Sequence, residues 1–333
     1  MAGAIVVLGG LNLDLVVETE RLPRAGETFE GRRFYTSGGG KGANQAVAAA
    51  RLARPDTPVR MIGRVGNDAE GRALRGLLEK DGIDCRGVAT DTEARSGVAM
   101  IVLDAAGENT VLAVYGANAH CGDAELASLE TALADASVLL LQQETPLHTT
   151  ARAMQMARDR GVRVVLDPAP ARTSPPEGFH NLCDVLTPNQ GEAAALLRSL
   201  PEALTTTPTG QASPDLLIDA AAAAQTATAL RRSGIAEVIV TLGAEGAVVA
   251  TESGVTRLAA HPAEVVASVG AGDAFNGALA VGLAEGRALA DAARFANAAA
   301  ALAVTKPGVQ ESMPVRAAVE ALIAEFRGGT RAD

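Results

Sequence analysis

Ala136-Ser137-Val138-Leu139-Leu140-Leu141-Gln142-Gln143-Glu144 decides how the chain folds. Four apolar residues in a row, without alternation, suit a strand covered on both faces and not one with a wet side. Helical periodicity flanks the run over 123–134 and 146–160, followed by strand patterns at 162–166 and 184–187 and a helix over 189–199. Helix and strand in turn, with unbroken apolar strands, predict an α/β fold with a doubly wound, mostly parallel sheet and helices on both faces. Glu144 then falls just past the carboxyl end of a strand, where such sheets bind ligands.

Working outward, Ala4–Leu8 reads as a first buried strand ending in Gly9-Gly10, and 59–63 as another, with helices over 43–52 and 68–80. Two stretches lack helices. Asn12–Glu18 alternates and 29–35 continues in the same style; Ser96–Leu103 and Asn109–Tyr115 follow later, joined by a hairpin at 104–108. These patches, about 12–36 and 96–116, are expected to pair as a small β-sheet lid within a single domain spanning 1–333. Toward the C-terminus the pattern predicts a Pro/Thr-rich surface loop at 200–214, a helix over 215–233, a strand at 236–241, and helices over 273–285, 288–304 and 314–326.

Composition narrows the function. With a formal net charge of -10 the chain lacks the basic surplus that binding to nucleic acid or an anionic membrane uses, so any phosphate must be held by local groups. No apolar run reaches the roughly 18 residues of a membrane span. The three cysteines, Cys85, Cys121 and Cys183, are scattered and form no C-x-x-C, which suits reduced thiols in a cytoplasm. The histidines form no metal-ligand spacing.

The second informative stretch is Ala267-Ser268-Val269-Gly270-Ala271-Gly272-Asp273-Ala274-Phe275-Asn276-Gly277, where glycines and an acid open a helix. A helix start with glycines offers unsatisfied N–H groups and a positive dipole end to an anion. Asp273 there reads in two ways, as a helix N-cap or as a base taking a proton from an attacking hydroxyl. Gly38-Gly39-Gly40-Lys41-Gly42 invites comparison with a phosphate-binding P-loop, but Tyr35 stands where its first glycine belongs and Gly42 where its Ser or Thr does. Asn12 and Asp14, Glu144, Asn189 and Glu192, and Thr241 with Gly243 all follow predicted strands. Together with Lys41 and Asp273 they suit a polyol at one end of a cleft and a nucleoside triphosphate at the other.

These motifs resemble those of the ribokinase-like carbohydrate kinases over nearly the whole chain. They are Gly10-Leu11-Asn12-Leu13-Asp14, Gly39-Gly40-Lys41-Gly42-Ala43-Asn44-Gln45-Ala46, Asp167-Pro168-Ala169-Pro170-Ala171, Thr187-Pro188-Asn189-Gln190-Gly191-Glu192, Thr241-Leu242-Gly243 and Gly270–Gly277. The glycine-Asp motif implies a kinase, and Asn12-x-Asp14 with the Gly39–Ala46 run implies D-ribose, phosphorylated on its 5-hydroxyl. The resemblance assigns catalysis to Asp273 as base and to the N–H groups of Gly270, Ala271 and Gly272. It assigns sugar binding to Asn12, Asp14, Gly40, Lys41, Asn44, Glu144 and Asp273. ATP falls to Asn189, Thr241, Gly243, Gly246 and Asn297, and Mg2+, through water, to Glu192. A homodimer through the β-lid is also implied. A monovalent-cation site would lie at Val269, Gly308 and Ser312, but relatives that need K+ carry an Asp where this chain has Ala267, so strong K+ dependence is not expected. The rival expectations are a related kinase acting on another sugar or a nucleoside, and a non-catalytic sugar sensor, which would be expected to lack Asp273.

Overall fold

The computed structural model describes residues 3–105, 109–172, 175–199 and 220–329. The expected loop at 200–214, the start of the helix at 215–233 and the tip of the hairpin at 104–108 lie outside the described residues.

In chain order, β1 (Ala4–Leu8), β2 (Asn12–Glu18) and β3 (Arg33–Gly39) lead into α1 (Lys41–Leu52), β4 (Val59–Gly66), α2 (Ala69–Lys80) and β5 (Asp84–Asp91). Next come β6 (Gly97–Leu103), β7 (Asn109–Val114), α3 (Asp123–Ala132), β8 (Ala136–Leu141), α4 (Leu147–Arg158), β9 (Arg163–Leu166), β10 (Val185–Leu186) and α5 (Gln190–Ser199). The rest is α6 (Ala220–Arg232), β11 (Glu237–Thr241), β12 (Ala247–Thr251), β13 (Gly254–Leu258), α7 (Ala271–Ala284), α8 (Leu289–Ala303) and α9 (Arg316–Gly329). Among the described residues no helix is long and apolar enough to cross a membrane.

The large sheet has the order β13-β12-β11-β10-β9-β8-β1-β4-β5, parallel from β11 to β5 and antiparallel only at the β12 and β13 edge. Its apolar runs serve two cores at once. Ile5, Val7, Val138 and Leu140 point into a core closed by α1, α2, α7 and α8, while Val6, Leu8, Leu139 and Leu141 point into one closed by α3, α4 and α6. Alternate residues of a strand face opposite sides, so both kinds of position must be apolar here. From β1 the chain runs outward through β4 to β5 and later returns to place β8 on the other flank of β1. That reversal opens a crevice past the carboxyl ends of β1 and β8.

The second sheet, β3-β2-β6-β7, pairs β2 with β6 in parallel and its other neighbours antiparallel. Its register sets Asn12, Asp14 and Val16 on one face with Gly39, Tyr35, Ala99 and Ile101. Leu13, Leu15, Met100 and Leu112 occupy the other face, with Phe34.

Several expected boundaries are corrected. The strand expected at 29–35 runs instead over Arg33–Gly39, and Phe29 lies in the preceding turn under the Arg21 guanidinium, 4.3 Å from its ring centre. Glycine normally weakens a strand, yet Gly39 extends β3 because a Cβ there would strike the Asp14 carboxylate. The strands β5, β12 and β13 were not anticipated. β5 is an edge strand whose charged and small residues blur the alternation, and β13 is exposed along most of its length.

Candidate active site

The crevice is lined by residues whose backbones approach too closely for side chains. A Cβ on Gly42 would lie 2.6 Å from the Gly9 carbonyl carbon, and one on Gly10 would lie 2.8 Å from the Glu144 Cβ. Gly40 turns the chain at φ 85°, against the Gly10 carbonyl, so that α1 starts beside the end of β1. The glycines around Lys41 therefore serve helix–strand contact. That start delivers the Lys41 N–H to Glu144 Oε2 at 2.8 Å.

Gly270, at φ 83°, occupies the cap position of α7, and Asp273 lies one turn inside. Asp273 is consequently not the N-cap. Its Oδ2 accepts from Asn44 Nδ2 at 2.9 Å and its Oδ1 from Gln45 Nε2 at 3.0 Å. α1 reaches it because α7 presents Gly277 there; a Cβ at that position would lie 2.6 Å from the Ala48 Cβ. The Asn44 amide is oriented in turn by Gln310, whose Nε2 donates to Asn44 Oδ1 at 3.1 Å. Ala271 N–H turns back to Ser268 O at 3.3 Å, and Asn276 ties Gly272 O to the Thr187 hydroxyl at the end of β10.

Asn12 and Asp14 enter from the small sheet. Asn12 Oδ1 accepts from Asn118 Nδ2 at 2.9 Å, and Asn118 also fixes both backbone groups of Leu11. Burial pushes the Asp14 carboxyl up to about 7, with repulsion from Glu144 and Asp273 adding to it. Burial likewise lifts Glu144 to about 7 against the pull of Lys41. Asp167 is driven well above the carboxylate range by its enclosure, and Glu192 is raised for the same reason. At Lys41 burial works against the charge, but Asp273, Asp167 and Glu144 outweigh it and raise the ammonium further. The cluster thus holds more carboxyl groups than Lys41 can balance, and burial favours the protonated form of several of them.

On the nucleotide side, Asn189 and Glu192 cap α5 reciprocally: Asn189 N–H donates to Glu192 Oε2 and Glu192 N–H to Asn189 Oδ1, both at 2.9 Å. Asn189 bridges to Thr241 at the end of β11. Gly243 turns at φ 55°; Gly246, at φ 92°, packs its backbone on Leu258–Ala260, and Asn297 Nδ2 reaches Ala259 O at 3.3 Å. The structure therefore ties Asn44 to Asp273 and Lys41 to Glu144, with Asp14 and Glu192 in the same field of charge, and links Asn189 to Thr241 and Gly246 to Asn297 through 259. Farther along, the Ser312 hydroxyl donates to Val309 O, the Glu311 carboxylate lies over Gly308, Val269 packs on the core, and Ala267 N–H goes to Val304 O.

Sequence reasoning passed over Gln45, Asn118, Gln142 and Asn276, whose partners lie far away along the chain. It also overlooked Tyr115, which with Glu144, Pro146, Leu147 and Arg172 lines a cavity of about 260 Å³.

A sequence model of the pfkB family carbohydrate kinases matches residues 3–316. The chain belongs to this family. Within it, a ribokinase of Schizosaccharomyces pombe is 38% identical over 93% of this chain and 94% of its own. A ribokinase of Haemophilus influenzae is 35% identical over 95% and 97%. A solved Arabidopsis thaliana ribokinase, complexed with ribose and ATP, superposes with a TM-score of 0.80 at 32% identity, covering 97% of this chain and 99% of that one. The ribokinase-like fold that the motifs imply is the fold found.

Proposed function

We propose that this chain is an ATP-dependent kinase that phosphorylates the 5-hydroxyl of D-ribose, giving ribose 5-phosphate and ADP. The carrying observation is a buried carboxylate, Asp273, in the first turn of α7, gripped through both oxygens by Asn44 and Gln45 and in the same field of charge as Asp14, Lys41 and Glu144. Vicinal hydroxyls both donate and accept, and this mixture of acids, amides and one ammonium can answer them all. The names of the relatives, ribokinases matched along almost their whole length, support the same substrate.

In the reaction the sugar oxygen attacks the γ-phosphorus, its proton passes to Asp273, and the bond to the ADP oxygen breaks. N–H groups of Gly270, Ala271 and Gly272 at the head of α7 stabilise the charge on the moving phosphoryl group, Ala271 giving up its long 3.3 Å bond to Ser268 O to do so. Gly40 shapes the sugar side, while Asn189, Thr241, Gly243, Gly246 and Asn297 line the nucleotide. Carboxyl groups that outnumber the one ammonium leave room for a further cation, and the described residues contain no cluster of three or more His, Cys, Asp or Glu side chains that could form a complete cage. This suits Mg2+, which is held largely by waters and phosphates, with Glu192 as the protein's contribution. When bound it neutralises phosphate charge.

The chain reads as one domain with the small sheet as a lid, whose closure excludes water from the transfer. Its Phe34, Met100, Leu112 and Val114 side chains are all more than half exposed, an apolar face that suits pairing with a second copy. Three buried, unpaired cysteines suit the cytoplasm. With Ala267 in place of a carboxylate, Val269, Gly308 and Ser312 bind K+ weakly; exchanging K+ for a bulky organic cation leaves activity nearly unchanged, and a large loss contradicts this.

A second reading, a nucleoside acceptor, is favoured only by the cavity between Tyr115 and Glu144. ATP consumption with ribose, 2-deoxyribose, fructose and adenosine separates the two. Ribose is expected to give the fastest turnover, and equal or greater turnover with another acceptor overturns the assignment.

A further inference from the structure

The described polar residues around Asp273 include one that the sugar and nucleotide do not account for. Gln45 is fully buried on α1, and its single amide NH2 spends both hydrogens on carboxylates: one on Asp273 Oδ1 at 3.0 Å, the other on Asp167 Oδ2 at 2.8 Å. Its carbonyl oxygen accepts from Gln142 Nε2 at 2.6 Å. Gln142 extends from the end of β8 and is itself fully buried. Turning the Gln45 amide over would aim its oxygen at the Asp273 carboxylate and its NH2 at the Gln142 NH2, so the orientation is set by Asp273 and Gln142 together.

We infer that Gln45 is the positioning residue for the base, an amide that locks the plane of the Asp273 carboxylate by tying it to Asp167 and, through Gln142, to the large sheet. Asn44 alone holds one oxygen and leaves the carboxylate free to turn about its last torsion. With Gln45 on the other oxygen that rotation stops, and the remaining lone pairs keep one direction. Gln45 touches neither reactant in this account and acts through Asp273. A base displaced by about an ångström costs up to about 10²-fold in rate. The inference rests on the kinase reading, and the test below separates the two.

The test is a double-mutant cycle between Gln45→Leu and Asp273→Asn, run with the full chain on whichever acceptor the wild type phosphorylates. Wild-type turnover of ribose tests the substrate; coupling within the cycle tests Gln45. Against the wild type, Gln45→Leu is expected to lower kcat by about tenfold to a hundredfold, with KM for acceptor and ATP changed much less. Against Asp273→Asn the same substitution is expected to do almost nothing, because no carboxylate base is left to aim. A structural role would give the same fold-loss in both backgrounds, and that result overturns the inference, as does a wild-type-background loss under about threefold. Should Gln45→Leu not fold, Gln142→Leu, which leaves the Gln45 amide without its orienting donor, enters the same cycle with the same two outcomes.

Discussion

The floor of the crevice buries Gln45, Asp167 and Asp273 and ties their side chains together in one hydrogen-bonded cluster, whereas the small sheet that supplies Asn12 and Asp14 leaves Phe34, Met100, Leu112 and Val114 largely bare. In the floor, α1, α7 and β8 meet most of each other's polar demands, Gln142 Oε1 being the exception. The sheet has met them along only one face. A region whose polar groups are satisfied within one chain holds a fixed geometry, and one with an unburied apolar face suits movement or a partner.

Disabling the floor without unfolding it is expected to have the largest effect. Asp273→Asn keeps the size of the side chain but removes the base and turns one accepting oxygen into an NH2 that faces a donor, so kcat is expected to fall by about 10² or more while ATP binding, followed by calorimetry, stays near the wild-type value. An unchanged kcat removes Asp273 from the chemistry.

A smaller effect appears in stability. Burial holds the Asp14 carboxyl at about 7 in the folded chain, against 3.8 as its ordinary value. Between those values the folded state keeps a proton that the unfolded chain releases. The stability this group contributes is therefore complete below pH 4 and is lost as pH rises toward 7. Asp14→Asn removes that loss, so its stability relative to the wild type is expected to rise from pH 5 to pH 7, by at most about 1.4 kcal/mol per pH unit. Urea denaturation at the two pH values measures it; a flat or falling difference contradicts the shift.

The mildest perturbation addresses the sheet. Met100→Glu with Leu112→Glu charges a cross-strand pair on the bare face and should leave the fold and the floor intact. Light scattering after gel filtration is expected to show a wild-type dimer and a monomeric double variant. Equal masses for the two would mean that this face does not join copies.

The legibility of the chain followed the same division. The large sheet could be read because Val138–Leu141 and its neighbours are apolar without interruption, a pattern with few other uses. The start of β3 is misread because Phe29 looks like a strand residue and Gly38-Gly39 like a turn; the glycines are extended by pairing with β2, and side chains fill the space of a Cβ, Gln310 and Leu77 at Gly38 and Asp14 at Gly39. The place of Glu144 past a strand end and of Asp273 at a helix start marked them, with Lys41, as candidates, and motif resemblance assigned their roles. Gln45 lay within one of those motifs, but its role depends on Asp273, 228 residues away, and no local pattern encodes that contact. Two consecutive amides, Asn44 and Gln45, in an otherwise alanine-rich helix were the available signal. An uncharged polar pair on a helix destined for the core needs partners there.

Transfer of the γ-phosphoryl group of ATP to the 5-hydroxyl of ribose by this cluster is read directly from the product by phosphorus-detected NMR. Incubation of the wild-type chain with ribose, ATP and Mg2+ is expected to yield one phosphomonoester whose phosphorus couples to the two protons on C5. A phosphoester at another carbon, or ADP and inorganic phosphate with no sugar phosphate, would contradict it.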